Sequence, residues 1–196
     1  VLARAWPLIK ASVPDARLHV IGSSKLYSNR AQLGPLGVAE PKYERRFAKY
    51  VTSGVDRELR DVIFHGSLGE SRFKVMGQSS IVIANPIGRT ETSCAVAKEA
   101  AALGLPLVAY RGYAFLDFSE PSRTSVLIRG YRDLAHTVVG LLNNPAKLTE
   151  MSKASLDFSR QFAPEQTVTK WAIALHVLAT GGSPVNLANE PIRYPF

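Results

Sequence analysis

The sequence predicts an α/β domain of the Rossmann-like type, a parallel sheet between two layers of helices. Short apolar segments of strand length alternate along the chain with helical patterns, which is typical of this fold class. These strand segments are almost continuously apolar, as in strands that are buried on both faces of a parallel sheet. The chain has 196 residues, of which 46% are hydrophobic and 20% charged, so it can bury a substantial core.

The elements follow one another in a regular order. The predicted strands are residues 17–22, 62–66, 81–84, 106–110 and 125–128. The predicted helices are residues 1–12, 40–51, 70–77, 93–103, 131–142, 145–160 and 164–179. We expect one domain over residues 1–180 and an extended tail over residues 181–196, which carry no periodic pattern. Two features are unusual: the chain opens on a helix, and the link from residue 22 to 62 is long for one crossover.

Composition excludes several classes of protein and indicates an anionic partner. The net charge is +8, so the chain attracts phosphates, nucleic acid or acidic lipid. The basic residues are dispersed, and the densest stretch, residues 42–49, predicts an amphipathic helix with a basic face. We therefore expect no nucleic-acid binding and keep peripheral contact with an anionic membrane as an alternative. No apolar run reaches the roughly 18 residues of a membrane helix. The single cysteine excludes an internal disulfide and fits a reducing, cytoplasmic compartment.

Common catalytic motifs are absent from the sequence. There is neither a G-x-G-x-x-G fingerprint nor a P-loop, and His65-Gly66-Ser67 lacks the spacing of a nucleophile elbow. The four histidines have no metal-ligand spacing, so we expect no metal site. His19 lies in the middle of a predicted strand and is interpreted as a packed core residue.

The segment from residue 85 to 109 carries the most specific pattern. A strand is followed by a loop containing Glu91 and by a helix of small residues that contains Glu99. The amino end of such a helix binds phosphate, and the small side chains of residues 92–94 leave its backbone accessible. Carboxylates suit sugar hydroxyls because each oxygen accepts hydrogen bonds. From spacing alone, the alternative that both glutamates are solvated charges stays open. Cys94, at the helix start, is interpreted as a structural residue.

Glu91 and Glu99 are separated by seven residues and followed by Ala-Ala-Ala-Leu-Gly-Leu-Pro-Leu-Val-Ala. They resemble the E-x7-E signature of the retaining group-1 glycosyltransferases of GT-B fold. Residues 14–22, 62–66 and 133–145 also resemble segments of that family in the same order. The resemblance covers about residues 1–178. This chain has Glu-Thr-Ser-Cys where many relatives have Glu-Gly-Phe-Gly, although small residues are kept.

The resemblance implies a role for each site residue. Glu91 is expected to contact the donor sugar as the catalytic residue, and Glu99 to bind the ribose. The amides of Thr92, Ser93 and Cys94 are expected to bind the diphosphate. The loop of Gly66, Ser67 and Leu68 is expected to contact the base, and Gly22 to let the donor approach the backbone closely. Lys25, Arg72 and Arg89 are candidates for positive charge near the phosphates, and no spacing rule selects one of them.

The resemblance also implies an activity. The chain is expected to be the donor-binding half of an enzyme that transfers a hexose from a nucleotide diphosphate sugar to a hydroxyl acceptor, without metal or other cofactor. The acceptor-binding N-terminal domain of that family is not in this sequence, so its partners are a nucleotide-sugar donor and that domain. Two alternatives remain, a sugar-nucleotide epimerase of the same fold and a non-catalytic basic module that binds nucleic acid or membrane.

Overall fold

A computed structural model describes residues 1–26, 30, 32–52, 59, 61–84 and 93–181. The strands are β1 (Leu18–Ile21), β2 (Val62–Gly66), β3 (Val82–Ala84), β4 (Leu107–Tyr110) and β5 (Ser125–Ile128). The α-helices are α1 (Leu2–Ser12), α2 (Pro41–Val51), α3 (Arg72–Gly77), α4 (Ala95–Ala102), α5 (Tyr113–Asp117), α6 (Tyr131–Leu142), α7 (Pro145–Ser159) and α8 (Pro164–Ala179). Short 3-10 turns span Ser24–Leu26 and Arg160–Phe162.

The predicted fold class is confirmed, with small differences at element ends. Every predicted strand and helix is present, and β2, β5, α6 and α8 have the predicted bounds. Helices α3 and α4 each begin two residues later than predicted. Helix α5 was not predicted, because its five residues follow an Arg-Gly pair and are too few to show a helical period.

The strands form two parallel groups within the described residues. One pairs β1 with β2, and the other has the order β3-β4-β5. The registers place Leu18 beside Val62, Val82 beside Leu107, and Leu107 beside Ser125. Among the described residues, β1 and β3 each pair with one neighbouring strand, β2 and β4 respectively.

Helices cover both faces of the strands. Val108 of β4 packs with Trp6 and Ile9 of α1 and with residues of α2, α6 and α7. Its neighbour Ala109 packs on the opposite face with Phe115 of α5 and Ala97 of α4. Since successive strand residues point to opposite faces, the part of the chain that contains the strands has three layers, helix, sheet and helix.

A buried carboxylate organises the long connection between β1 and β2. Glu44 of α2 is 2% exposed, and its Oε atoms accept hydrogen bonds from the backbone N–H groups of Leu36, Val38 and Ala39 at 2.7, 2.8 and 3.0 Å. Burial by itself raises the pKa of Glu44. The three backbone donors together lower it by more, so the pKa lies below the ordinary value of 4.5. Gly34 packs so tightly that an added Cβ would meet Glu44 Cδ at 2.7 Å. Glu44 thus fixes the loop around residues 36–39 through three hydrogen bonds to its backbone.

The contacts divide the chain into two compact units, Val1–Phe158 and Ser159–Phe196. The first contains all five strands. The described part of the second contains α8, a helix of 16 residues with proline at its first position. The boundary expected at residue 180 stays a prediction, and residues 182–196 of the expected tail lie outside the described residues. None of the described helices is both long and apolar enough to cross a bilayer.

Candidate functional site

The site begins where β1 and β2 end side by side in glycine. The Gly22 N–H donates to the Gly66 carbonyl oxygen at 2.8 Å. Both glycines have positive φ, +117° and +65°, and no atom lies within 4 Å of an added Cβ at either one. The backbone can turn sharply here only without a side chain, and it stays open to a ligand. Two predicted site residues are thus brought together.

The loop after β2 leads from this glycine pair to Arg72. Ser67 is exposed and Leu68 is half-buried. Arg72, the first residue of α3, donates from Nη1 to the Gly69 carbonyl oxygen at 2.9 Å. The guanidinium therefore fastens the loop from which Ser67 and Leu68 project.

The same guanidinium holds Glu99 in a two-point ion pair. Arg72 Nη2 lies 2.8 Å from Glu99 Oε1, and Arg72 Nε lies 3.2 Å from Oε2. The side chains are 31% and 20% exposed, so the pair is partly shielded from water. The hydrogen bond to Glu99 raises the pKa of Arg72 above its already high ordinary value, and the guanidinium stays charged. Arg72 thus connects the loop after β2 to helix α4, and both follow carboxyl ends of strands.

The ion pair leaves Glu99 able to bind a ligand. Each carboxylate oxygen has two lone-pair sites, and Arg72 occupies one on each. The remaining sites can accept hydrogen bonds from two adjacent hydroxyl groups. The neighbouring guanidinium also offsets the negative charge that would otherwise repel a phosphate.

Helix α4 begins at Ala95, two residues later than predicted, with the buried Cys94 as its N-cap. Cys94 is 2% exposed and packs among Ala84, Leu107 and Phe115, in agreement with a structural thiol. Ser93 is exposed, and its Oγ lies 3.5 Å from Lys98 Nζ. The Lys98 ammonium also lies 4.2 Å from the centre of the Phe118 ring. It adds positive charge near the helix start, a feature that sequence reasoning missed because nothing in the local pattern distinguishes this lysine.

The remaining candidates include three residues that the structure does not describe. Glu91, Thr92 and Arg89 lie outside the described residues. Lys25 lies in the 3-10 turn after β1, where its backbone N–H donates to Ser23 Oγ. Among the described residues, no three His, Cys, Asp or Glu side chains are grouped as metal ligands.

The prediction that His19 is a core residue is wrong. Its ring is exposed and stacks on His65, with ring centres 5.2 Å apart and His19 Nδ1 2.9 Å from His65 Nε2. Partial burial, together with the nearby His65 and Arg17, lowers the pKa of His19. One imidazole must donate and the other accept, which favours at least one neutral ring beside Gly66.

The chain belongs to the group 1 glycosyl transferases. The family model described as "Glycosyl transferases group 1" matches residues 1–144. No curated protein sequence matches the chain significantly.

Solved structures share the fold at low sequence identity. A glycosyltransferase from Rickettsia africae superposes with a TM-score of 0.69 at 13% identity, over 92% of this chain and 44% of that protein. A sucrose-phosphate synthase from Thermosynechococcus elongatus gives 0.67 at 18% identity, over 92% and 43%. Anabaena HepE, solved in complex with UDP-glucose, gives 0.56 at 15% identity, over 81% and 41%. The chain thus spans less than half the length of these neighbours.

Proposed function

We propose that this chain is the donor-binding half of a retaining glycosyltransferase, which transfers a hexose from a nucleotide diphosphate sugar to a hydroxyl acceptor. Membership of the family supports glycosyl transfer in general. The observation that carries the donor site is the Glu99 carboxylate, held at two points by Arg72 next to the loop after β2.

Glu99 is the proposed ribose ligand. The two lone-pair positions that Arg72 does not occupy can accept from the two hydroxyls of a vicinal diol. Arg72 is a positioning residue in this proposal, because it fixes the plane of the carboxylate and keeps it charged. The base would lie over Gly66, Ser67 and Leu68, and the ligand would approach the backbone at Gly22.

The diphosphate is proposed to lie at the start of α4. The first amides of a helix have no acceptor within the helix, and the helix dipole favours an anion there. Lys98, beside Ser93, adds a cation at the same end. When the bond from the sugar C1 to the diphosphate oxygen breaks, the oxygen keeps the electron pair, and these groups stabilise the growing charge.

Glu91 is proposed to contact the sugar itself. It lies outside the described residues, so its role rests on its place ahead of Glu99, from which seven residues separate it. The HepE complex with UDP-glucose supports a donor of this class, because that protein has the same fold.

The remaining parts of the enzyme are proposed from the family resemblance. The chain spans 41% to 44% of the three neighbours above, which leaves room for an acceptor domain that would close the cleft. Neither a metal nor another cofactor is required by the groups named here. The exposed cations of α2 are the proposed contact if the enzyme binds an anionic membrane from the cytoplasm.

The test is calorimetric titration of UDP, GDP and ADP, and of their glucose conjugates, into the chain. We expect saturable 1:1 binding of one nucleotide and its conjugate. Salt-dependent binding to DNA or anionic vesicles, with no nucleotide response, would contradict the proposal and favour a basic module. In the complete two-domain enzyme, the anomeric configuration of the product, read by NMR, tests retention.

A further inference from the structure

Two histidines lie side by side on one face of the β1–β2 pair. Val20 of β1 packs with residues of α1 and α2, so the side chains of its neighbours His19 and Ile21 point to the opposite face. Ile21 packs there with residues of α3 and α4. The His19 ring is exposed on this face, and the half-buried His65 of β2 lies beside it.

The register of the two strands makes His65 an extra residue of β2. Val20 lies beside Phe64, but the next residue of β1, Ile21, lies beside Gly66, so the register skips His65. A bulge of this kind leaves the extra residue outside the hydrogen-bond ladder. The ladder therefore holds His65 less firmly than its neighbours, and its side-chain contacts matter more.

A hydrogen bond between the two rings supplies such a contact. His19 Nδ1 lies 2.9 Å from His65 Nε2, and the ring planes differ by 14°. One nitrogen must carry the proton and the other must offer a lone pair. The next residue, Gly66, accepts from the Gly22 N–H at 2.8 Å. One side-chain bond and one backbone bond thus hold the point at which the chain leaves β2.

The number of protons on the pair decides whether the side-chain bond exists. With one added proton, an imidazolium donates to a neutral imidazole and the bond is kept. A second proton removes the acceptor and places two cations side by side. Partial burial and the charges of His65 and Arg17 lower the pKa of His19 below 6.5, so His19 is the ring that accepts. The bond is therefore complete above pH 6.5 and is lost as pH falls through the pKa of His19.

The surrounding charges do not favour a second proton on the pair. The charged side chains on the described elements around this face are Asp15, Arg17, Glu70, Arg72, Lys74 and Glu99. These are three cations and three anions, so they supply no net negative charge. Arg72 and Glu99 compensate each other in their ion pair, and Arg17 acts on His19 directly.

We propose that His19 and His65 are positioning residues of the nucleotide-sugar site, because their hydrogen bond holds the loop over residues 66–68 in the geometry that binds the base. This inference rests on the proposed function, in which that loop contacts the base. Loss of the bond in acid releases the loop and weakens binding of the nucleotide sugar. The affinity consequently falls on the acid side of pH 6.5.

The first test follows the free chain by NMR between pH 8 and pH 5. It records the amide resonances of Gly66, Ser67 and Leu68, with Val108 of β4 as a reference for the rest of the sheet. We expect the three loop amides to shift with the same midpoint as the His19 ring, while Val108 keeps its position. Loop amides that do not follow the His19 ring overturn the proposal.

The second test measures affinity by calorimetry, with the conjugate among UDP-glucose, GDP-glucose and ADP-glucose that binds. The diphosphate of such a conjugate is esterified at both ends, so it does not titrate between pH 5 and pH 8. We expect the Kd to rise by about 3- to 10-fold from pH 7.5 to pH 5, as for the loss of one hydrogen bond. An unchanged Kd overturns the proposal. If no conjugate binds at any pH, the proposed function fails, and the loop amides alone decide whether the pair holds the loop.

Variants of His19 separate the hydrogen bond from its protonation. In His19→Asn, the amide oxygen still accepts from His65 and stays an acceptor in acid. We expect wild-type affinity at pH 7.5 and a Kd that changes by at most about twofold at pH 5. His19→Ala has no acceptor and should bind about 3- to 10-fold more weakly at both pH values. His136→Asn, at an exposed position of α6, is the control and should keep the wild-type profile.

The variants also give results that contradict the proposal. A wild-type pH profile in both His19→Asn and His19→Ala overturns it, because the titrating group then lies elsewhere. The two wild-type titrations need no variant, so they decide the question even if a variant does not fold.

Discussion

At the residue scale, Glu99 combines a permanent ion pair with a proposed ligand contact. A carboxylate that is free to rotate loses conformational entropy each time it binds, whereas one fixed by Arg72 has lost that freedom in advance. Because the pair is only partly exposed, its charges interact more strongly than those of a surface pair. The ion pair therefore serves function by orienting the Glu99 carboxylate. Variants of Glu99 and of Arg72 test this orientation separately.

Replacing the two glutamates of the E-x7-E pattern is expected to affect the binding of different ligands. Glu99→Gln should weaken binding of the free nucleoside diphosphate and of the sugar donor alike, because both contain ribose. A hydrogen bond to a charged acceptor contributes about 1.5–3 kcal/mol, so the loss should be roughly 10- to 150-fold. Glu91→Gln should spare the free nucleotide and weaken the sugar donor. Titration calorimetry of both ligands into both variants measures this, with circular dichroism to check the fold. Wild-type nucleotide affinity in Glu99→Gln would refute the ribose assignment.

Arg72 is expected to act through Glu99. In Arg72→Gln, Glu99 loses both hydrogen bonds that orient it, so the preference for a ribonucleoside over a 2′-deoxyribonucleoside diphosphate should fall by about tenfold. Arg72→Lys keeps the charge without the two-point contact and should restore only part of that preference. The matched control is Arg123→Gln, since Arg123 forms an exposed pair with Glu120 at 2.8 Å. A uniform loss for both nucleotides would instead show that Arg72 acts only as a positive charge.

The sequence predicts the setting of a residue well only when the residues it contacts are close to it along the chain. The buried setting of Cys94 is predictable from the small-residue helix that it starts. The partner of Arg72 lies 27 residues away, so no spacing rule could select it. His19 was placed in the core because the surrounding strand is apolar. That inference assumes a strand with neighbours on both edges, and β1 has only one among the described residues.

At the element scale, the predictable elements are those whose pattern is complete within one segment. The strands are runs of apolar residues, and α6 shows a full apolar face, so their positions follow from the sequence to within a residue or so. The 22–62 connection could not be predicted because its organiser, Glu44, looks like one charge among several on a basic helix. Its burial depends on loop N–H groups that the chain brings to it only after folding.

Glu44 is expected to make stability depend on pH in the acidic range. Its pKa is lowered in the folded state, so its contribution is full above the unfolded value near 4.5 and is lost as pH falls through the folded pKa. In Glu44→Gln, the amide has one acceptor oxygen for three N–H donors, so we expect a loss of about 1–3 kcal/mol at neutral pH. Urea unfolding between pH 3 and 7, about the window of this linkage, should show a flatter pH dependence for the variant. Glu150→Gln, in an exposed pair with Lys147, is the control. Equal pH slopes in the wild type and Glu44→Gln would show that the loop N–H groups do not depend on this charge.

At the scale of the whole molecule, the fold class follows from the order of the elements, but the pairing of the strands does not. Alternating strands and helices specify a parallel sheet with helices on both faces. Which strands are neighbours depends on crossovers between distant segments, so the division into β1-β2 and β3-β4-β5 could not be predicted.

The residue at which the independently folding unit ends can be tested by truncation. The family match ends at residue 144, the first compact unit ends at Phe158, and the sequence predicts a domain that ends at residue 180. Helix α7 lies between the first two limits and buries Met151 and Ser155, each at most 1% exposed. Because loss of one buried Met side chain alone costs about 2–5 kcal/mol, a chain of residues 1–144 should be largely unfolded, given typical domain stabilities of about 5–15 kcal/mol.

A chain of residues 1–158 should keep a single cooperative transition in thermal unfolding and the nucleotide affinity of the full chain. Residues 1–181 are the control of intermediate length. If residues 1–158 unfold like residues 1–144 while residues 1–181 remain folded, the unit extends through α8, and the boundary predicted at residue 180 is the correct one.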